Sequence, residues 1–147
     1  MAKNKGYPRQ RRPTLDEQIY RMRVVWPDLQ LRNRKRQVEA TWKGAVQPAP
    51  MCERYVVWIR YRHGYSPEVH VLNPKLKIRE GASCLPHVYD DGGLCLHDYG
   101  EWESWMFVAD YFVPWISSWL YFYEVWYAVG LWLGGGTHPD KPEHRAA

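Results

Sequence analysis

The first regular pattern along the chain is helical. Leu15, Ile19, Met22 and Trp26 recur at three- and four-residue spacing among polar positions, as one face of a helix requires. Thr14 with Glu17 three residues on makes a capping box, Asp16 and Glu17 suit the positive end of the helix, and Pro27 closes the segment. One amphipathic helix over residues 14–26 is predicted, with Arg21 and Arg23 facing out. The period then falls to two. Val38, Ala40 and Trp42 alternate with Glu39, Thr41 and Lys43, and Tyr55, Val57, Ile59 and Tyr61 alternate with Val56, Trp58, Arg60 and Arg62. Glu68 to Leu72 reads as a third strand. Pro48-Ala49-Pro50, His63-Gly64 and Asn73-Pro74 end these runs, and such short connections favour an antiparallel meander.

Neither period holds from Gly81 to Gly100. That stretch is rich in Gly, Asp, Pro and His, which marks an ordered but irregular loop, and a loop of this length in a compact domain is usually functional. Beyond it, residues 102–133 carry thirteen aromatics, six of them Trp. Within that region the longest uncharged stretch, Tyr111 to Tyr123, has thirteen residues and includes Pro114, Ser117 and Ser118. A membrane span needs about 18–20 nearly uncharged residues, so the region reads as buried helices covering the sheet. Gly134-Gly135-Gly136 then stops the helical material.

At 147 residues, with 46% hydrophobic and 16% aromatic positions, the chain can bury a core of its own and is too rich in Trp and Tyr for disorder. We expect a basic flexible arm over 1–13, a single domain over 14–139 and a polar tail over 140–147. The three cysteines, 52, 84 and 95, are odd in number with no signal peptide before them. They argue against a disulfide scaffold and for the cytoplasm, where thiols stay reduced. The net charge of +4 conceals an asymmetry: residues 1–36 hold eleven Lys/Arg against three acids, whereas Glu80 to Glu124 holds eight acids and no Lys or Arg. A basic head suits an acidic partner; no zinc-finger, RRM-type or helix-turn-helix signature accompanies it to suggest nucleic acid.

Cys95 has the most distinctive setting. It lies in Asp91-Gly92-Gly93-Leu94-Cys95-Leu96-His97, with Pro86 and His87 nine and eight positions upstream. Glycines let a backbone approach a ligand closely, and even an ordinary thiol, with a pKa of about 8.5, is a few per cent thiolate at neutral pH. Three chemistries fit these residue types: zinc held by Cys84, His87, Cys95 and His97; a cysteine hydrolase with a histidine base; or a cysteine that carries an acyl group as a thioester. Against zinc, Cys95-x-His97 is tighter than the usual ligand pairs. Against a hydrolase, Asp90, Asp91 and Asp98 would disfavour the strongly activated thiolate a protease needs, provided they lie close in space.

The run Leu85-Pro86-His87-Val88-Tyr89-Asp90-Asp91-Gly92-Gly93-Leu94-Cys95-Leu96 resembles the active-site segment of ubiquitin-conjugating enzymes. Pro86, Tyr89, Gly92, Leu94, Cys95 and Leu96 match position by position. Leu85 stands where that family has the His of its His-Pro-Asn motif, and His87 where it has the Asn. The order of elements agrees over residues 14–133: helix, meander, flap, helices. Pro114-Trp115, the run Trp119 to Glu124, Trp126 and the run Gly130 to Pro139 further resemble the stand-alone ubiquitin-conjugating-like proteins of short type II CBASS antiphage operons.

The resemblance implies an α+β fold: an N-terminal helix, an antiparallel meander, an active-site flap and aromatic-rich C-terminal helices. It implies that Cys95 forms a thioester with the C-terminus of the cyclic-oligonucleotide synthase (a CD-NTase-like enzyme) and passes it to an amine. His87 would serve as oxyanion stabiliser or base, with Asp91, His97 and Tyr89 as supporting residues. Arg21, Arg23, Arg34 and Lys35 are the candidate docking residues for the partner. Neither metal nor cofactor is expected, and no membrane. The alternatives are a binding module or a catalytically inactive scaffold for the synthase.

Overall fold

A computed structural model describes residues 10–97 and 101–135. Most of the expected arm, the 140–147 tail, Asp98, and Gly136 through Pro139 fall outside the described residues.

Helix α1 (Leu15–Val25) begins as its sequence dictates: Thr14 is extended, and its hydroxyl accepts from the Glu17 N–H at 3.1 Å, satisfying one of the unpaired donors of the first turn. The buried stripe differs from the apolar one. Leu15, Gln18 and Met22 are fully buried, while Ile19 and Trp26 are only partly so. Gln18 can be inside because both ends of its amide are used. Its Nε2 donates to Met106 C=O and its Oε1 accepts from Val108 N–H, each at 2.9 Å. A periodicity count of apolar residues misses such a polar core position.

The sheet has four antiparallel strands in the order β1-β2-β3-β4: β1 (Gln30–Lys35), β2 (Glu39–Val46), β3 (Tyr55–Arg62) and β4 (Glu68–Asn73). Strand β1 is an addition to the three predicted runs. Every one of its residues is exposed, so it carries no hydrophobic alternation and is held by its ladder to β2, with Leu31 opposite Trp42 and Lys35 opposite Glu39. Strand β3 follows its pattern, with Tyr55, Val57, Ile59 and Tyr61 buried. Strand β2 does not. Glu39 and Thr41 are buried alongside Ala40 and Trp42, and Val38 is 54% exposed. The Glu39 carboxylate is covered by partners from neighbouring strands, Arg60 Nε at 2.6 Å and Lys35 Nζ at 3.4 Å. An interior strand thus buries a charge by pairing it.

The aromatic region forms one helical body rather than several helices. A π-helical turn (Val108–Phe112) runs into helix α2 (Val113–Val129), with Pro114 in the first turn, where its missing N–H is harmless. The helix ends at Gly130 in the left-handed conformation. Val113, Ile116, Trp119, Leu120, Tyr123 and Trp126 join the inward residues of α1 and the sheet in a single apolar cluster. Among the described residues no helix is long and apolar enough to cross a membrane.

Candidate active site

Beyond β4 the chain reaches a small hairpin that aims the candidate nucleophile. Val88 and Leu94 bridge antiparallel and are both buried, and Leu94 N–H donates to Val69 C=O at 3.0 Å, fastening the hairpin to β4. The turn is closed by Gly92 N–H to Tyr89 C=O and Tyr89 N–H to Gly93 C=O. Gly92 sits at φ +87°, a conformation that residues with a side chain rarely adopt. Because Leu94 is anchored inward, Cys95 follows it out of the core and lies half-buried at the mouth of a cleft.

That cleft has a volume of about 270 Å³ and is walled by His87, Cys95, Trp115, Trp119, Phe122 and Trp132, with Gly134 and Gly135 at its edge. Cys95 Sγ points toward the His97 carbonyl at 3.8 Å. The main chain couples the two principal residues, since Cys95 N–H donates to His87 C=O at 2.9 Å. The same carbonyl accepts the Trp119 indole N–H at 3.1 Å. His87 is buried and left-handed at φ +49°, and its imidazole stacks on the Trp132 indole at 4.9 Å and 27°. The Gly134 backbone passes so close to Phe122 that an added Cβ would lie 2.6 Å from the ring.

The other candidates separate into groups. His97 lines the cleft, with Nε2 2.9 Å from Ser66 Oγ and its ring 5.3 Å from Trp115. Tyr89 and Asp91 stand at the exposed hairpin tip, away from the cleft. The Asp91 carboxylate accepts Gly93 N–H at 2.8 Å and lies 3.9 Å from His70 Nε2, which shapes the turn. Arg21 pairs with Asp110 at 2.9 Å, Arg34 with Asp16 at 2.5 Å and Lys35 with Glu39 at 3.4 Å. Arg23 is exposed in the last turn of α1.

Among the described residues no three His, Cys, Asp or Glu side chains converge as a metal site; Cys84 sits apart beside the Ser83 hydroxyl at 3.8 Å. The cleft's aromatic wall is what sequence reasoning missed as part of the site. Trp119 and Trp132 were legible only as members of an aromatic-rich helix region, and their approach to His87 depends on how that helix lies across the flap.

A helix, a four-stranded antiparallel meander, a cysteine-bearing flap and a C-terminal helix define an α+β domain of the ubiquitin-conjugating type. The family model for the type II CBASS E2 protein matches residues 18–139, and the chain belongs to that family. Membership carries with it a role in CBASS antiphage operons alongside the CBASS synthase system. No curated protein matches the sequence.

Proposed function

We propose that this protein is a cysteine-based acyl carrier that takes the activated C-terminus of the CBASS synthase as a thioester and passes it to an amine. The observation that carries the reading is the pairing of Cys95 and His87 on one wall of an open cleft, locked in register by the 2.9 Å hydrogen bond between their backbones.

The chemistry runs in two displacements. Cys95 thiolate attacks the carbonyl carbon of the activated tail, the C–S bond forms, and the activating group departs with its electron pair. An amine then attacks the thioester, the C–N bond forms, and Cys95 leaves as thiolate while the amine's proton passes to solvent or to a base. His87 serves the second step: an imidazole N–H beside the reacting carbonyl stabilises the developing oxyanion as an amide side chain would, and an imidazole also accepts a proton where an amide does not. The energy resides in the thioester, and the protein contributes placement and fixed dipoles. Arg21, Arg23, Arg34 and Lys35, on α1 and β1, supply the basic surface for docking the synthase.

The test mixes the protein with its operon's synthase and compares gels with and without reductant. An adduct that thiol or hydroxylamine removes, and that Cys95→Ala abolishes, is expected. His87→Ala should slow transfer to the amine more than loading. An adduct that persists in Cys95→Ala, or no adduct under activating conditions, overturns the reading.

A further inference from the structure

Helix α2 does not simply stop beyond the site. After the left-handed Gly130 the chain turns back, and Trp132, Gly134 and Gly135 line the cleft. Trp132 is the centre of this return. Its ring packs against Trp119 at 5.5 Å and Phe122 at 5.8 Å, and its Nε1 donates to Gly135 C=O at 3.2 Å. The indole is therefore held on three sides, two by rings of α2 and one by its own strap. The indole also stacks on the His87 imidazole, with ring centroids 4.9 Å apart and planes inclined by 27°.

Stacking of this kind bears directly on His87. Its carbonyl accepts from Cys95 N–H and Trp119 Nε1, which fixes the backbone, and the Trp132 indole restricts the imidazole itself; rotation of an aromatic side chain about its last bond is broad unless neighbours restrict it. An imidazole that donates to a transient oxyanion gains from being aimed in advance, because misplacement by about 1 Å can cost on the order of 10²-fold in rate.

We propose that Trp132 is a positioning residue, whose indole holds the His87 imidazole in the orientation required when an amine attacks the Cys95 thioester. The inference rests on the acyl-carrier reading of Cys95 and extends it: the strap after α2 is a working part of the site rather than a helix stop. It separates the two half-reactions, since loading needs Cys95 reachable, whereas discharge to amine needs His87 aimed.

The experiment uses the full-length protein and a synthetic glycine-terminated peptide presented as an alkyl thioester. Cys95 thiolate displaces the alkyl thiolate, and the loaded protein is then discharged with free lysine, forming the amide and releasing Cys95. Trp132→Ala should slow discharge about tenfold while loading stays within about twofold, and Trp132→Phe, which keeps a ring against the imidazole, should restore most of the rate. In a His87→Ala background, adding Trp132→Ala should have no further effect, because the tryptophan acts through the histidine. NMR gives a readout independent of turnover: the His87 ring protons should lie upfield under the indole ring current and move toward ordinary histidine positions in Trp132→Ala. Unchanged discharge in Trp132→Ala, equal slowing in the His87→Ala background, or unmoved ring protons each overturn the positioning role alone. A wild-type Cys95 that never accepts the peptide overturns the acyl-carrier reading, and the positioning role falls with it even if the ring shift is present.

Discussion

The backbone N–H of Cys95 donates to the carbonyl of His87 at 2.9 Å, and the same carbonyl receives the Trp119 indole N–H at 3.1 Å. Seven residues of hairpin lie between the first two, yet the bond makes them one unit, and the indole secures that unit to helix α2. A flap residue in the left-handed conformation costs about 1–3 kcal/mol to maintain, so it persists only where its surroundings hold it.

Removing that indole donor should loosen the flap. Trp119→Phe keeps a ring in the core but loses the hydrogen bond to His87. We expect a loss of about 2 kcal/mol in urea unfolding, from one hydrogen bond and some packing. Hydrogen exchange at the Cys95 amide should quicken several-fold, more than at amides of β3.

Gln18 ties α1 to the segment that leads into α2. Gln18→Leu keeps most of the volume while leaving the Met106 carbonyl and Val108 N–H without their partner. Each orphaned buried group costs about 1–3 kcal/mol. We expect a destabilisation of about 2–4 kcal/mol by denaturant unfolding, larger than for Ile19→Ala on the half-buried side.

Acid should weaken the sheet through Glu39. The Arg60 guanidinium, bonded to its carboxylate at 2.6 Å, holds the carboxyl below its ordinary value of 4.5; burial opposes this, and the charges of Arg60 and Lys35 reinforce it. Since the folded carboxyl is the stronger acid, its stabilising contribution is complete above the unfolded value and is lost as pH falls through the folded one. Asp16, hydrogen-bonded by Arg34, is lowered in the same direction. Urea midpoints should drop between about pH 5 and pH 3, and Glu39→Gln should start lower near neutrality and flatten that drop.

Cys52 should be a slow thiol. Burial first, and then the Glu124 carboxylate, push its pKa up, which keeps it protonated and unreactive near neutral pH. Glu124 also accepts from Tyr55 OH at 3.0 Å and Glu53 N–H at 3.1 Å. Timed alkylation followed by peptide mass spectrometry should show Cys52 lagging an unhindered cysteine peptide. Glu124→Gln, which removes the negative charge, should speed its alkylation several-fold.

Much of the architecture was readable in advance, with instructive gaps. The cap of α1 and the alternation of β3 are written in neighbouring residues, and both appear as expected. Strand β1 was invisible because an edge strand exposed on both faces shows no hydrophobic period. Glu39 and Thr41 are the polar members of an alternating run, yet both are buried in an interior strand, Glu39 with cross-strand cations as partners. The stretch 102–133 reads as buried helices, whereas a single helical body runs from Val108 to Val129, since aromatic density marks burial without specifying backbone.

Local order in the chain carried the fold class, the first helix, and the cysteine motif that singled out Cys95 and His87, because each depends on residues a few positions apart. Folding in three dimensions chose their surroundings. Trp119 and Trp132 meet His87 across 32 and 45 positions of sequence, and no periodicity encodes a contact at that range. Those meetings follow from how α2 packs and where the chain reverses at Gly130. Long-range packing is a property of the assembled core, in which each side chain's place is set by all the others.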